Sequence, residues 1–175
     1  MGNAYDKLLA VIVAVIIAAV MVPQAAYANP APQLDDADIP SDWAGEQVEK
    51  AKEMGLVPEG LQSKYTSGIT REEFSELAVE LYEALGGKES AAPEDNPFID
   101  TENSKVLTAY RLGIVKGKGE GLFQPNSAVT REEISVMLYR ALQAAKPGYD
   151  YSNTTGYIFA DQNEIPFWSI SAIEA

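Results

Sequence analysis

An all-α fold is what this 175-residue sequence predicts, and three observations carry that reading. Two stretches place apolar residues at helical spacing, each opened by the same Thr-Arg-Glu-Glu tetrapeptide. The units that contain them recur along the chain, as they do in repeat architectures. Strand-like alternation is sparse, with Gly156-Tyr157-Ile158-Phe159 at best an extended lead-in.

Taken in order, residues 1–28 read as a processing signal. Leu8 to Val22 is an uncharged apolar run, and Ala26-Tyr27-Ala28 follows just before Asn29-Pro30. A short apolar run with an A-x-A site is the pattern of a secretory signal peptide. It is short of the roughly 20 apolar residues a spanning helix needs. Export is therefore expected, with no membrane contact after cleavage. Residues 29–40, rich in Pro, Asp and Ala, read as an exposed linker.

The repeats follow. Ile69-Thr70-Arg71-Glu72-Glu73-Phe74 returns sixty residues later as Val129-Thr130-Arg131-Glu132-Glu133-Ile134. Met54-Gly55-Leu56-Val57 returns at a spacing of 58 as Leu112-Gly113-Ile114-Val115, so the second copy has a loop two residues longer. Phe98-Ile99-Asp100 returns as Phe159-Ala160-Asp161, and the stretch from Trp168 lines up with the one from Trp43. The copies are placed at 41–87, 97–146 and 157–175, the third stopping inside its first helix.

Each copy reads as helix, loop, helix. The first helix of copy one is expected over about Asp42 to Met54, with Ala44, Val48 and Ala51 inward. Gly55 supplies a left-handed end, and Gly113 does the same in copy two. In the second helices, Thr70 with Glu73 and Thr130 with Glu133 have capping-box spacing. Their inward stripes are Phe74, Leu77, Ala78, Leu81 and Leu85, and Ile134, Met137, Leu138, Ala141 and Ala145. Short helix pairs cannot bury such stripes alone, so the copies must pack together. A bundle lacking its last helix exposes apolar surface, so a longer product, a frayed end or a helix borrowed from another chain is expected.

Composition removes whole classes of chemistry. With no Cys and no His, thiol catalysis, thiolate or imidazole metal sites and Ser-His-Asp chemistry are excluded. Lys and Arg number 13 against 26 acidic residues, for a net charge of −13. Nucleic-acid binding needs a basic footprint that is not there. No cofactor or metal is expected, and a two-carboxylate glycan-cleaving site has nothing but the abundance of acids in its favour.

The Arg after each helix cap is the most pointed feature. A positive charge in a first helical turn opposes the helix macrodipole by roughly 0.3–1 kcal/mol. Yet Arg71 and Arg131 both stand there. One reading pairs each Arg with a nearby carboxylate; the other has Arg and the free helix N–H groups converging on an anion. Both remain open on the residues alone. The loop Lys116-Gly117-Lys118-Gly119-Glu120-Gly121 adds a small basic island with permissive glycines. Its spacing is neither a P-loop nor a dinucleotide fingerprint. Trp43, preceded by Asp42, and Trp168 sit at matching helix starts, where an indole beside polar groups can stack on a sugar.

These blocks resemble S-layer homology repeats. The carriers are Phe98-Ile99-Asp100, Leu112-Gly113-Ile114-Val115-Lys116-Gly117, Phe123-Gln124-Pro125 and the two Thr-Arg-Glu-Glu blocks, over roughly Ile39 to Ala175. The resemblance implies a pseudo-three-fold bundle, with the third repeat incomplete here. It also implies non-catalytic, non-covalent anchoring of an exported protein to a bacterial cell wall or S-layer. The implied partner is a pyruvylated secondary cell wall polysaccharide or a peptidoglycan-linked glycan. Self-association is the further contact, in a rival reading as an envelope lattice subunit. By position, Arg71 and Arg131 would hold the ketal carboxylate. Asp42 with Trp43, Asp100, and Asp161 with Trp168 would line grooves, and Lys116 and Gly117 would supply loop contacts. Copy one reads Pro58-Glu59-Gly60 where copy two has the lysines and glycines, and copy two has Thr101 in place of Trp.

Overall fold

The computed structural model describes residues 39–88, 90–93, 95–151 and 162–173. The expected signal peptide, most of the linker, the Gly156–Phe159 lead-in and Asp161 lie outside them. Among the described residues there are five α-helices: α1 (Gly45–Glu53), α2 (Arg71–Ala84), α3 (Ser104–Arg111), α4 (Arg131–Ala145) and α5 (Ile170–Ile173). Two 3-10 turns, Glu59–Leu61 and Gln162–Glu164, join them. The all-α class stands: extended pairing among the described residues is confined to two isolated bridges, Thr70 with Ala128 and Gly119 with Leu122.

The chain forms two compact units, one ending at Ile69 and the other beginning at Thr70. In the first, α1 starts three residues later than its sequence suggests, because Ser41 to Ala44 form a turn closed by Ala44 N–H on the Ser41 carbonyl. Ala44, Val48 and Ala51 are buried as expected. Gly55 takes φ +70°, its N–H bonds Lys52 and the Leu56 N–H bonds Ala51. That Schellman closure satisfies carbonyls the helix end would leave bare.

In the second unit α2 packs on α3 and on α4, and α4 on α5. Both capping boxes form in full, with Thr70 on Glu73 and Thr130 on Glu133. The α2 stripe is wider than its sequence periodicity suggests: Ser75, Val79 and Tyr82 are buried as well, while Leu77 is only partly covered. A helix clasped by two neighbours buries more than one face. Leu138 and Ala145 of α4 are likewise only half-covered. Helix α3 ends on Gly113 (φ +76°) and α2 on Gly86 (φ +86°), with the same paired bonds as α1. Helix α4 has no such glycine. Its end is closed by a side chain, since the Tyr151 hydroxyl donates to the Leu142 carbonyl at 2.7 Å, with the Lys146 carbonyl at 3.2 Å.

Candidate functional site

The start of α2 is sealed by the loop that precedes α4. Arg71 N–H bonds the Ser127 carbonyl at 2.9 Å and Glu72 N–H the Pro125 carbonyl at 3.1 Å. Two first-turn donors of α2 thus find partners in the next repeat. The Arg71 side chain follows its backbone inward and is only 6% exposed. Nη2 donates to the Lys116 carbonyl at 2.7 Å, Nη1 donates to Glu133 Oε1 at 3.3 Å, and the guanidinium carbon lies 4.8 Å from the centre of the Phe123 ring. Nε is buried without a partner among the described residues. Desolvation pulls the guanidinium below its ordinary pKa, and the Glu133 charge opposes that. Here the carboxylate expected from a ligand is supplied by the protein itself.

Glu133 gathers three partners. Oε1 meets Arg71 and the Lys118 ammonium, and Oε2 accepts the Thr130 N–H at 3.2 Å. Desolvation alone would raise its pKa, but the hydrogen bonds from Lys118 and Thr130 and the two cations outweigh it and hold the group low. Asp100 works from the other side of the loop. Its two oxygens accept the N–H groups of Phe123 and Gln124, each at 2.8 Å. Those bonds, the Phe123 one first, depress its pKa. Ile99 N–H on the Gly121 carbonyl completes the clasp. The loop needs left-handed backbone at Gly119, Glu120, Gly121 and Gln124. Gly117 is required for a different reason, since a Cβ there would stand 3.1 Å from the Phe98 ring and 3.2 Å from the Leu122 carbonyl.

Arg131 occupies the equivalent place at the start of α4 and has none of this cover. It is exposed, and among the described residues neither a carboxylate nor a carbonyl holds its guanidinium. Nor does any backbone carbonyl among them take the Arg131 or Glu132 N–H groups. The groups that seal Arg71 come from 45 to 62 residues further along, and the described residues offer Arg131 no counterpart of them. A guanidinium and two donors without a partner among the described residues share one helix start.

Trp43 (54%) and Trp168 (56%) are exposed, as are Asp42, Lys116 and Gly117. Lys116 contributes its carbonyl to Arg71 and leaves its ammonium unpaired among the described residues. Thr101, standing where the other copies have Trp, is buried and donates to Glu72 Oε2 at 2.8 Å. Sequence reasoning did not single out Glu133, Phe123 or Thr101 as site builders. The conspicuous pointer would have been Glu133, which serves a cap and a cross-repeat ion pair at once. Among the described residues no acidic cluster has the geometry of a metal site, and no helix is long and apolar enough to cross a membrane.

This clasped loop between Thr101 and Ile134 coincides with a known pattern, since residues 101–134 match the S-layer homology domain. The chain carries an S-layer homology domain. It is 29% identical over 109 residues to an exoglucanase (XynX) of Acetivibrio thermocellus, covering 58% of this chain and 10% of that one. It is 30% identical over 109 residues to an amylopullulanase of Thermoanaerobacterium thermosulfurigenes, covering 58% and 6%. An endoglucanase of Bacillus sp. strain KSM-635 is 38% identical over 81 residues, covering 45% and 8%. The chain thus spans a tenth or less of these curated relatives. No solved structure matches it. An S-layer homology domain is a non-catalytic anchoring module, and the match places the chain at the cell surface, with the cell wall or S-layer.

Proposed function

We propose that the chain anchors by gripping an acidic wall polysaccharide, a pyruvylated one, through Arg131. The supporting observation is the exposed Arg131 guanidinium beside two N–H groups at the α4 start that no carbonyl among the described residues takes. A planar fork next to helix donors suits a bidentate carboxylate such as a pyruvate ketal. With a chain charge of −13 and an anionic polymer, long-range attraction is unfavourable, so contact must be local and desolvated. Exposed Lys116 adds a second cation. Asp42 with Trp43, and separately Trp168, offer a sugar face an indole. Arg71 and Asp100 build the loop instead of touching the ligand, and Asp161 joins the proposal on its sequence position alone.

Removing one charge-assisted contact costs about 1.5–3 kcal/mol, or about ten- to 150-fold in affinity. Arg131→Ala should lose that much in co-sedimentation with purified walls and keep its melting curve. Walls stripped of ketal acids by mild acid should bind the wild type and the variant equally. Undiminished pelleting of Arg131→Ala with intact walls rejects the reading.

A further inference from the structure

The far end of α4 carries a second feature that the Arg131 site does not use. Tyr139, Gln143, Pro147, Tyr149 and Tyr151 line an open pocket of about 530 Å³. That lies within the ~300–1,000 Å³ usual for small-ligand sites. Three aromatic rings meet there, with Tyr139 and Tyr151 5.6 Å apart and Tyr149 and Tyr151 5.0 Å apart, all edge to face. The arrangement is built into the backbone. Helix α4 lacks the Gly-Gly ending of α2, and the Tyr151 hydroxyl closes its last carbonyls instead. That bond anchors Tyr151, and the Tyr139 and Tyr149 rings rest edge-on against it.

Tyr149 is nonetheless 69% exposed. A large ring that rests against Tyr151 and still faces water leaves apolar area whose covering is favourable. Among the described residues the lining contains no carboxylate and no cation. Burial, and then the neighbouring phenols, push the Tyr151 hydroxyl above its ordinary pKa, so that hydroxyl stays protonated through the neutral range. What the pocket presents is therefore flat apolar faces, phenol hydroxyls and one amide.

We infer that this tyrosine pocket is a second glycan subsite, taking an uncharged pyranose by stacking on Tyr149 with the Gln143 amide on its hydroxyls. Aromatic faces match the axial C–H face of a sugar ring, and neutral donors and acceptors match its hydroxyls. An acidic ligand would find no countercharge there. Arg131 and Gln143 are twelve residues apart on one helix, or ~18 Å at 1.5 Å per residue. One polymer could thus place an acid at the first site and neutral sugars at the second, multiplying weak affinities. Only the identity of that polymer rests on the anchoring proposal; the subsite itself does not.

The test uses the full chain with two probes: a tetrasaccharide of β-1,4-linked N-acetylglucosamine, and wall polysaccharide freed of its ketal acids. Either probe should shift the ring resonances of Tyr139, Tyr149 and Tyr151. Tyr149→Ala should weaken binding about tenfold, or ~1.4 kcal/mol. Gln143→Ala should weaken it less, and Arg131→Ala not at all. The inference is overturned if neither probe moves the tyrosine resonances at millimolar concentration, or if Tyr149→Ala binds as the wild type does. It is overturned equally if Tyr149→Ala changes the sedimenting mass, since the rings would then serve contact between copies. Failure of the acid site would show differently, as an Arg131→Ala variant that still holds intact pyruvylated polymer.

Discussion

Arg71 and Arg131 stand at the same place in the same motif, and the fold gives them opposite roles. Both follow a complete capping box, both open a helix of similar length, and both oppose its dipole. Arg71 is buried under the next repeat's loop, with Glu133, the Lys116 carbonyl and Phe123 around it. Arg131 faces water. A repeat motif therefore specifies a socket: protein groups fill it at Arg71, and among the described residues none fills it at Arg131.

The largest effect that would break this comparison is on folding. Arg71→Ala strands the Lys116 carbonyl, removes the cation–π contact and takes one cation from Glu133, which keeps Lys118. We expect a loss of about 2–4 kcal/mol, less than the full cost of breaking a buried pair because Lys118 remains. Arg131→Ala should change stability by no more than about 0.5 kcal/mol. Urea titrations of the two variants decide it, and equal losses would mean that Arg131 is covered too.

Gly117→Ala sharpens the same point more gently. Its Cβ would press on the Phe98 ring and on the Leu122 carbonyl, and a carbonyl in a clasped loop cannot retreat far. A loss of about 1–2 kcal/mol in the same titration is expected. Wall affinity should fall only as far as folding does, because Gly117 shapes the loop and not the Arg131 site. A variant of wild-type stability would show that the loop yields.

Helix starts, capping boxes, glycine ends and most of the stripes were legible in the sequence because each depends on neighbours within a few residues. Gly55 and Gly113 fall at positive φ where the pattern places them. The fate of Arg71 was not legible, for it depends on which residue 62 positions away faces it. Even the repeat misleads here, since two identical motifs predict two identical environments. The tyrosine cluster escaped for a related reason. Tyr149 and Tyr151 sit beside Pro147 and Gly148 with no helical spacing to mark them, and only the folded chain shows Tyr151 closing a helix end.

The smallest effect tests the hub between the two sites. Glu133 has a folded pKa held below its ordinary 4.5, so its contribution is present above that value and is lost as pH falls through the folded pKa. In that acid window the unfolded chain binds more protons than the folded one, and stability falls with decreasing pH. Glu133→Gln keeps the shape and an oxygen for Thr130 but cannot titrate. Its stability should decline less steeply below about pH 4.5, by under one proton in the slope, because exposed charges nearby are screened. Arg131→Ala should leave the wild-type slope intact, as Arg131 has no bond to this carboxylate. If instead Arg131→Ala flattened the acid limb while Arg71→Ala did not, Glu133 would be serving its own helix start, and the two arginines would have to exchange their roles.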